Sequence, residues 1–174
     1  MQTTRDCVGR RHVQTWHALS RRVLIACCGL GLILGVGTGQ AAMRYLPMED
    51  LARKADTIVL GTVTHQESAW GAEHTAIYTK VTLAVEQALV GTPAQVVTLQ
   101  VAGGSVGGMG MRTSNDAVFR EGERVIVFLD TSPVPSTVVG MQQGKFEVKD
   151  NIVTRADETW SLDEFIAAVR TAAR

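Results

Sequence analysis

Two apolar segments separated by a glycine-rich stretch constrain this chain more than any other feature. In residues 96–101, Val97, Leu99 and Val101 alternate with Val96, Thr98 and Gln100. Residues 125–129 are all apolar. Alternation is typical of a strand with one buried face, whereas a short continuous apolar run indicates a strand covered on both faces. The segment between them, 102–124, is rich in glycine. The chain is therefore predicted to be built on a sheet.

Further strands are predicted on both sides of this stretch. Residues 57–65 are rich in β-branched side chains, and Gly61 among them predicts a bulge or a sharp bend. Residues 76–86 alternate, and one of their two faces carries Ile77, Thr79, Val81, Leu83 and Val85. Three short strands are predicted later in the chain, at 138–141, 145–149 and 152–154.

Two helices are predicted to flank the strands. A short one follows Pro47, and a C-terminal amphipathic one begins at a capping box made by Ser161 and Glu164. We expect a mainly β fold, namely a small OB-like Greek-key barrel of roughly five to seven strands, because closing a sheet removes its aggregation-prone edges. The side chains expected in its core include Phe119, Phe128, Phe146, Trp160 and Phe165.

The first 41 residues have the three-part pattern of a secretory signal peptide. Five arginines and one aspartate precede or flank the apolar segment 23–37, and small residues follow at Gly39 and Ala41. An uncleaved N-terminal anchor is the alternative. Ser20-Arg21-Arg22 resembles a twin-arginine motif, so both general and folded-protein export routes stay open.

This pattern predicts a signal peptide or anchor at 1–41, followed by a single domain at 42–174. We expect an exported protein, periplasmic or extracellular, with a membrane-anchored form as the alternative. The body carries twelve basic and sixteen acidic side chains, which argues against nucleic acid as a partner.

All three cysteines lie in the leader, so the body is predicted to have no disulfides. His65 and Glu67 echo the H-x-E motif of zinc deaminases, but that site also needs cysteine ligands. These two side chains, with Glu73 and His74, could converge on a metal, although a solvated loop is the favoured interpretation. We expect neither a metal nor a cofactor.

Residues 103–107 form a literal G-x-S-x-G pattern, which raises the hypothesis of a serine hydrolase with Ser105 as nucleophile and His65 or His74 as base. A nucleophile elbow needs a helix directly after the serine, and the glycines that follow here oppose one. Substitution Ser105→Ala would abolish activity in such an enzyme. The pattern also lacks the lysine of a phosphate-binding loop.

The glycine-rich segment is more simply a mobile loop between strands, with a binding loop as the functional alternative. Methionine side chains would give such a loop adaptable apolar contacts. Trp70 is predicted to lie in a polar connection, either as a plug for the barrel or as an exposed anchor for a partner. The candidate binding residues are Trp70, Gly103, Gly104, Ser105, Gly107, Gly108, Met109 and Met111.

Several short motifs resemble a group of uncharacterised exported bacterial proteins. They are Ala55-Asp56-Thr57-Ile58-Val59-Leu60-Gly61-Thr62-Val63, Ile77-Tyr78-Thr79, Gly103-Gly104, Phe119-Arg120-Glu121-Gly122-Glu123-Arg124-Val125, Val127-Phe128-Leu129 and Gln143-Gly144-Lys145-Phe146. The layout of that group is similar to the netrin/TIMP-like OB fold. The resemblance implies no defined activity, and the inhibitory N-terminal cysteine of TIMP proteins has no counterpart in the body.

Together these observations predict an exported non-catalytic β-domain, expected to be monomeric. Its partner would be a protein or an envelope component, bound through the glycine-rich loop 103–111. Two alternatives stay open, a small secreted serine hydrolase and a protease-inhibitor-like domain. The membrane would be contacted only through an uncleaved N-terminal segment.

Overall fold

The computed structural model describes residues 43–174, so the predicted signal peptide or anchor at 1–41 lies outside the described residues. The fold is mainly β, as predicted, with two α-helices. In chain order the elements are α1 (Met48–Lys54), β1 (Thr57–Trp70), β2 (Ile77–Val90), β3 (Val96–Ala102), β4 (Gly104–Val106), β5 (Met109–Met111), β6 (Arg124–Asp130), β7 (Thr137–Val138), a 3₁₀ turn (Met141–Gly144), β8 (Lys145–Lys149), β9 (Ile152–Arg155), β10 (Glu158–Ser161) and α2 (Leu162–Ala172). Within residues 43–174, neither α-helix has the length and apolar character needed to cross a bilayer.

Most strands belong to one antiparallel sheet with the order β10-β9-β8-β6-β1-β2-β3, in which β7 also pairs with β6. Strands β4 and β5 form a separate two-stranded sheet. The sheet is not closed, since β3 and β10 lie at its two ends. The structure therefore differs from the predicted closed barrel and contains more strands than the sequence indicated.

Each edge of the open sheet is protected in its own way. At β3, Leu99 forms an isolated parallel bridge with Ser136, and the N–H of Gln100 donates to the carbonyl oxygen of Ser136 over 2.8 Å. At the other end, β10 is only four residues long and continues directly into α2. Short and locally covered edges resist pairing with other chains, so full closure is not required.

The paired strands β1 and β6 are buried on both faces. Ile126 and Phe128 pack on the side of the two helices, whereas Val125 and Val127 pack on the opposite side. This arrangement confirms the prediction that 125–129 are covered on both faces, because successive side chains of a strand point in opposite directions. Two apolar cores result, one on each side of the sheet.

The core on the helix side contains an aromatic cluster. The rings of Phe128 and Phe146 lie with centroids 5.3 Å apart, and those of Phe146 and Phe165 lie 4.7 Å apart. Phe165 reaches this cluster from α2, whose N-terminus carries the predicted capping box of Ser161 and Glu164. Helix α1 adds Leu51 to the same core.

Strand β1 is longer and more irregular than predicted. It continues to Trp70, and its pairing with β2 shifts register at three places, one of them between Leu60 and Gly61. The predicted irregularity at Gly61 is thereby confirmed. A Cβ atom at Gly61 would lie 2.5 Å from the carbonyl oxygen of Ala84, so only glycine allows the two backbones to approach this closely.

The segment before α1 is held by Arg155, whose side chain is largely buried. Its guanidinium donates to the hydroxyl oxygen of Tyr45 over 2.6 Å and to the carbonyl oxygens of Leu46 and Gln143 over 3.1 and 3.2 Å. It also pairs with Glu158 at 2.5 Å, and the hydroxyl of Tyr45 donates to the other oxygen of that carboxylate over 2.5 Å. The hydrogen bond to Glu158 raises the pKa of Tyr45 above its ordinary value.

Replacing Phe146 by alanine should lower the free energy of unfolding by about 3–5 kcal/mol, because it removes the ring that contacts Phe128 and Phe165 and leaves a cavity. Urea denaturation at neutral pH measures this loss. Val134→Ala is the control, since Val134 is 96% exposed and its replacement should change stability by about 0.5 kcal/mol or less. Similar losses in both variants would contradict the packing described here.

The contribution of Tyr45 to stability should depend on pH. Its folded pKa is raised above the ordinary value of 10.0, so the stabilisation is fully present below that pH and is lost as pH rises through the folded pKa. The difference in unfolding free energy between the wild type and Tyr45→Phe should therefore be constant at neutral pH and shrink above about pH 10. Urea denaturation over this range tests it, and a constant difference would contradict the hydrogen bond to Glu158.

Candidate functional site

The glycine-rich segment forms a β-hairpin, although the sequence favoured a mobile loop. Strands β4 and β5 are joined by Gly107 and Gly108, whose φ angles are +58° and +83°. Positive φ at both central residues is characteristic of a type I′ turn, which matches the twist of the flanking strands. Gly107 and Gly108 thus form a regular β-turn and not an irregular loop.

The base of the hairpin is packed tightly against β1 and β2. A Cβ atom at Gly104, where φ is +135°, would lie 2.4 Å from the hydroxyl oxygens of both Ser68 and Thr79. The N–H of Gly103 donates to the carbonyl oxygen of Ile77 over 2.7 Å. Glycine is therefore required at this contact for both space and conformation.

A chain of hydroxyl groups fixes this base. The hydroxyl of Thr79 donates to the carbonyl oxygen of Gly103 over 2.7 Å, and the hydroxyl oxygens of Thr79 and Ser68 lie 2.8 Å apart. Because a threonine hydroxyl has one proton to donate, Ser68 must donate to Thr79. The hydroxyl of Thr79 is buried, so this bond would be costly to lose.

An open cleft of about 560 Å³ lies beside the hairpin. It is lined by Gln66, Ser68 and Thr79, by residues 101–104, and by two further segments that we call its first wall (110–113) and its second wall (116–119). The hydroxyl of Thr113 lies 2.9 Å from a carboxylate oxygen of Asp116, which links the ends of the two walls. The cleft combines apolar and polar lining, as ligand sites commonly do.

Lys145 holds the second wall. Its ammonium donates to the carbonyl oxygen of Val118 over 2.6 Å and pairs with Glu123 at 2.5 Å. The side chains of Lys145 and Glu123 are only 7% and 12% exposed, and the ammonium lies 5.1 Å from the centre of the Phe119 ring. A largely buried charge that is paired and hydrogen-bonded in this way positions the wall against the sheet.

Six of the eight sequence-predicted binding residues fall into two groups. Gly103, Gly104 and Met111 line the cleft. At the tip of the hairpin Met109 is 58% exposed, and a Cβ atom at Gly107 or Gly108 would meet no other atom within 4 Å. The hairpin therefore presents an apolar side chain at its open end.

Trp70 was predicted to lie in a polar connection, but it is the last residue of β1. It pairs with Ile77, is half-buried, and stacks on His74 with ring centroids 6.2 Å apart. Two-residue alternation places it on the same face of the strand as Ser68. Trp70 thus belongs to the end of the β1–β2 pair that supports the hairpin, without lining the cleft itself.

Ser105 lies within β4, is exposed, and is followed by the turn at Gly107 instead of a helix. The imidazole of His65 lies 3.5 Å from Glu121, and His74 stacks on Trp70. Among the hydrogen bonds of residues 43–174, none joins Ser105 to a histidine. Within the same range, no three His, Cys, Asp or Glu side chains are grouped to hold a metal ion.

Four residues that line the cleft were not predicted from the sequence, namely Ser68, Arg112, Thr113 and Asp116. Thr79 had a usable signal, because it is the polar residue on the apolar face of β2, between Ile77 and Val81. A buried hydroxyl on such a face needs a hydrogen-bond partner, which here is the carbonyl of Gly103.

Comparison with known proteins identifies no related family. No family model, no curated protein and no solved structure matches the chain significantly. The site must therefore be interpreted from its own geometry.

Replacing Gly104 by alanine should displace the hairpin from β1 and β2. The added methyl group would collide with Ser68 and Thr79 and adopt an unfavourable φ, lowering the free energy of unfolding by roughly 2–4 kcal/mol. Urea denaturation measures the loss, and amide exchange at Gly103 should speed up.

The matched control for this variant is Gly107→Ala at the open tip. It meets no neighbouring atom and should lose only about 1–2 kcal/mol from its positive φ. It should leave exchange at Gly103 unchanged. Equal effects of the two substitutions on that exchange would show that the base of the hairpin is not fixed by this contact.

Proposed function

We propose that this protein is an exported non-catalytic β-domain that binds another protein or an envelope component through the hairpin at 103–111. The observation that carries the proposal is the exposed side chain of Met109 at the tip of a hairpin whose base is fixed. An apolar side chain held in water favours burial against a partner. Methionine suits such a contact because its unbranched side chain adapts to irregular surfaces.

The site offers a partner both a protrusion and a depression. Met109 projects from the tip, and the cleft of about 560 Å³ lies next to the same hairpin. Because the Thr79 and Ser68 hydroxyls hold the base, little ordering would be needed on binding. Such preorganisation reduces the entropic cost of association.

We also propose that the protein is exported and that its sheet has an OB-like arrangement. The basic leader with its apolar segment supports export to the periplasm or the cell exterior. An OB-like arrangement is supported by the bridge between Leu99 and Ser136, which links β3 through β7 and β6 back to β1. OB folds are five-stranded and partly open, which is compatible with one bridge at the opening.

Photocrosslinking in living cells tests the binding function. A photoreactive amino acid replaces Met109 in one strain and Trp70 in another. The expected result is one discrete adduct from Met109, and from Trp70 if the interface extends along the end of β1.

Lys149 and Val134 serve as control positions for the probe. Both are exposed, and Val134, at 96% exposure, matches the apolar character of Met109. The same adduct from Val134 would indicate non-specific labelling. No adduct from either Met109 or Trp70 would reject the hairpin as an interface.

A further inference from the structure

The turn at the tip determines which backbone groups of the hairpin are free. In a two-residue hairpin the residues that flank the turn, here Val106 and Met109, form a hydrogen-bonded pair. The next pair, Ser105 and Gly110, is then a non-hydrogen-bonded pair. The N–H and C=O groups of Gly110 consequently point away from β4.

These outward groups of Gly110 are presented beside the cleft. Gly110 lines the cleft from within β5, and Arg112, which directly follows β5, lines it as well. Apart from the β4–β5 pairing, the backbone hydrogen bonds found in residues 43–174 include none made by Gly110 or Arg112. This edge of β5 is therefore available for further pairing.

The second wall of the cleft, residues 116–119, does not pair with this edge of β5. Residues 116–119 contain no helix or strand, and among the described residues no backbone hydrogen bond joins them to 109–113. Ala117 and Phe119 are buried in the core, and the carbonyl of Val118 is bound by Lys145. The two walls are thus held apart by their own anchors, with the cleft between them.

We propose that the cleft binds an extended segment of another polypeptide, which adds to β5 as a further strand. The inference rests on the proposed binding function and specifies its ligand. Adjacent strands lie about 4.8 Å apart and pair through N–H and C=O groups that point along the sheet. Gly110 provides such groups at the edge of β5.

The lining of the cleft also specifies the chemistry of the segment. Strand β5 spans Met109–Met111, which corresponds to about 10 Å of extended chain and can pair with about three ligand residues. Arg112 is exposed, lines the cleft and makes none of the ion pairs found in residues 43–174. Asp116 also lines the cleft, but one of its carboxylate oxygens accepts a hydrogen bond from Thr113. The guanidinium of Arg112 matches the geometry of a carboxylate, so the ligand is an extended peptide with an acidic side chain that reaches Arg112.

A phage-displayed library of short linear peptides provides the probe. The protein as isolated from expressing cells is used for selection, and the most enriched peptide is synthesised with a fluorescent label. Its affinity is measured by fluorescence anisotropy. Each backbone amide of the peptide is then methylated in turn.

Strand addition predicts an alternating result in this methylation series. Every second N–H of a strand faces its neighbour, so methylation at alternate positions should weaken binding about tenfold or more, whereas the intervening positions should tolerate it. A ligand held only by its side chains would show no alternation. That outcome, or enrichment of no peptide, overturns the proposal.

Variants of the protein test the same edge. Gly110→Pro removes the outward N–H and should weaken binding about tenfold or more. Thr159→Pro is the matched control, because Thr159 pairs with Thr154 next to another two-residue turn and its N–H points away from β9 at the far edge of the sheet. It should leave the affinity unchanged. Equal losses in the two variants would overturn the proposal.

The Arg112→Gln variant tests the contribution of the arginine charge to binding separately from that of strand pairing. It should weaken binding of acidic peptides and reduce the effect of salt on their affinity, while the alternation in the methylation series persists. If the alternation disappears or the affinity is unchanged, the assigned ligand chemistry is wrong.

Failure of strand addition can be told apart from failure of the binding function. A discrete adduct from Met109 in cells, combined with a methylation series that lacks alternation, would retain the interface and reject the added strand. Absence of any adduct from Met109 and Trp70 would reject the interface itself.

Discussion

The double-sided burial of β1 and β6 is the constraint on which the rest of this structure depends. Since successive side chains of β6 enter opposite cores, each face of the sheet must be covered. The helices cover one face, and on the other face Val125 and Val127 pack with side chains of β2 and β3 and with Phe119. The cleft is linked to that second core, because one of its walls, 116–119, is the segment that buries Phe119.

Two polar side chains fix the positions of the hairpin and of residues 116–119 against the apolar cores. Thr79 fixes the hairpin through the carbonyl of Gly103, and Lys145 fixes the opposite wall through the carbonyl of Val118. Both anchors bind backbone carbonyl oxygens, and the bond between the Thr113 hydroxyl and Asp116 links the two walls through their side chains. Lys145 is also next to Phe146, whose ring lies in the core on the helix side, and β8 thereby connects the cleft to the packing of α2.

Much of the fold was predictable from the sequence, because periodicity and capping are local signals. The apolar run at 125–129, the alternating face of β2 and the box formed by Ser161 and Glu164 each identified an element correctly.

The closed barrel was wrong because closure depends on pairing between distant strands, and a single residue such as Ser136 can protect an edge without a local signal. The hairpin was missed because glycines permit both a mobile loop and a type I′ turn. The cleft was beyond sequence reasoning, since residues 66–68, 79 and 110–119 meet only in three dimensions.

The open space around Gly107 and Gly108 has a consequence for how this protein can evolve. A Cβ atom added at Gly107 or Gly108 would meet no residue beyond its chain neighbours within 4 Å, whereas one at Gly104 would collide with Ser68 and Thr79. Insertions or substitutions at the tip therefore leave the two cores undisturbed, since exposed loop tips accept such changes most readily. Related chains could acquire different specificities by varying the tip while they keep the same base.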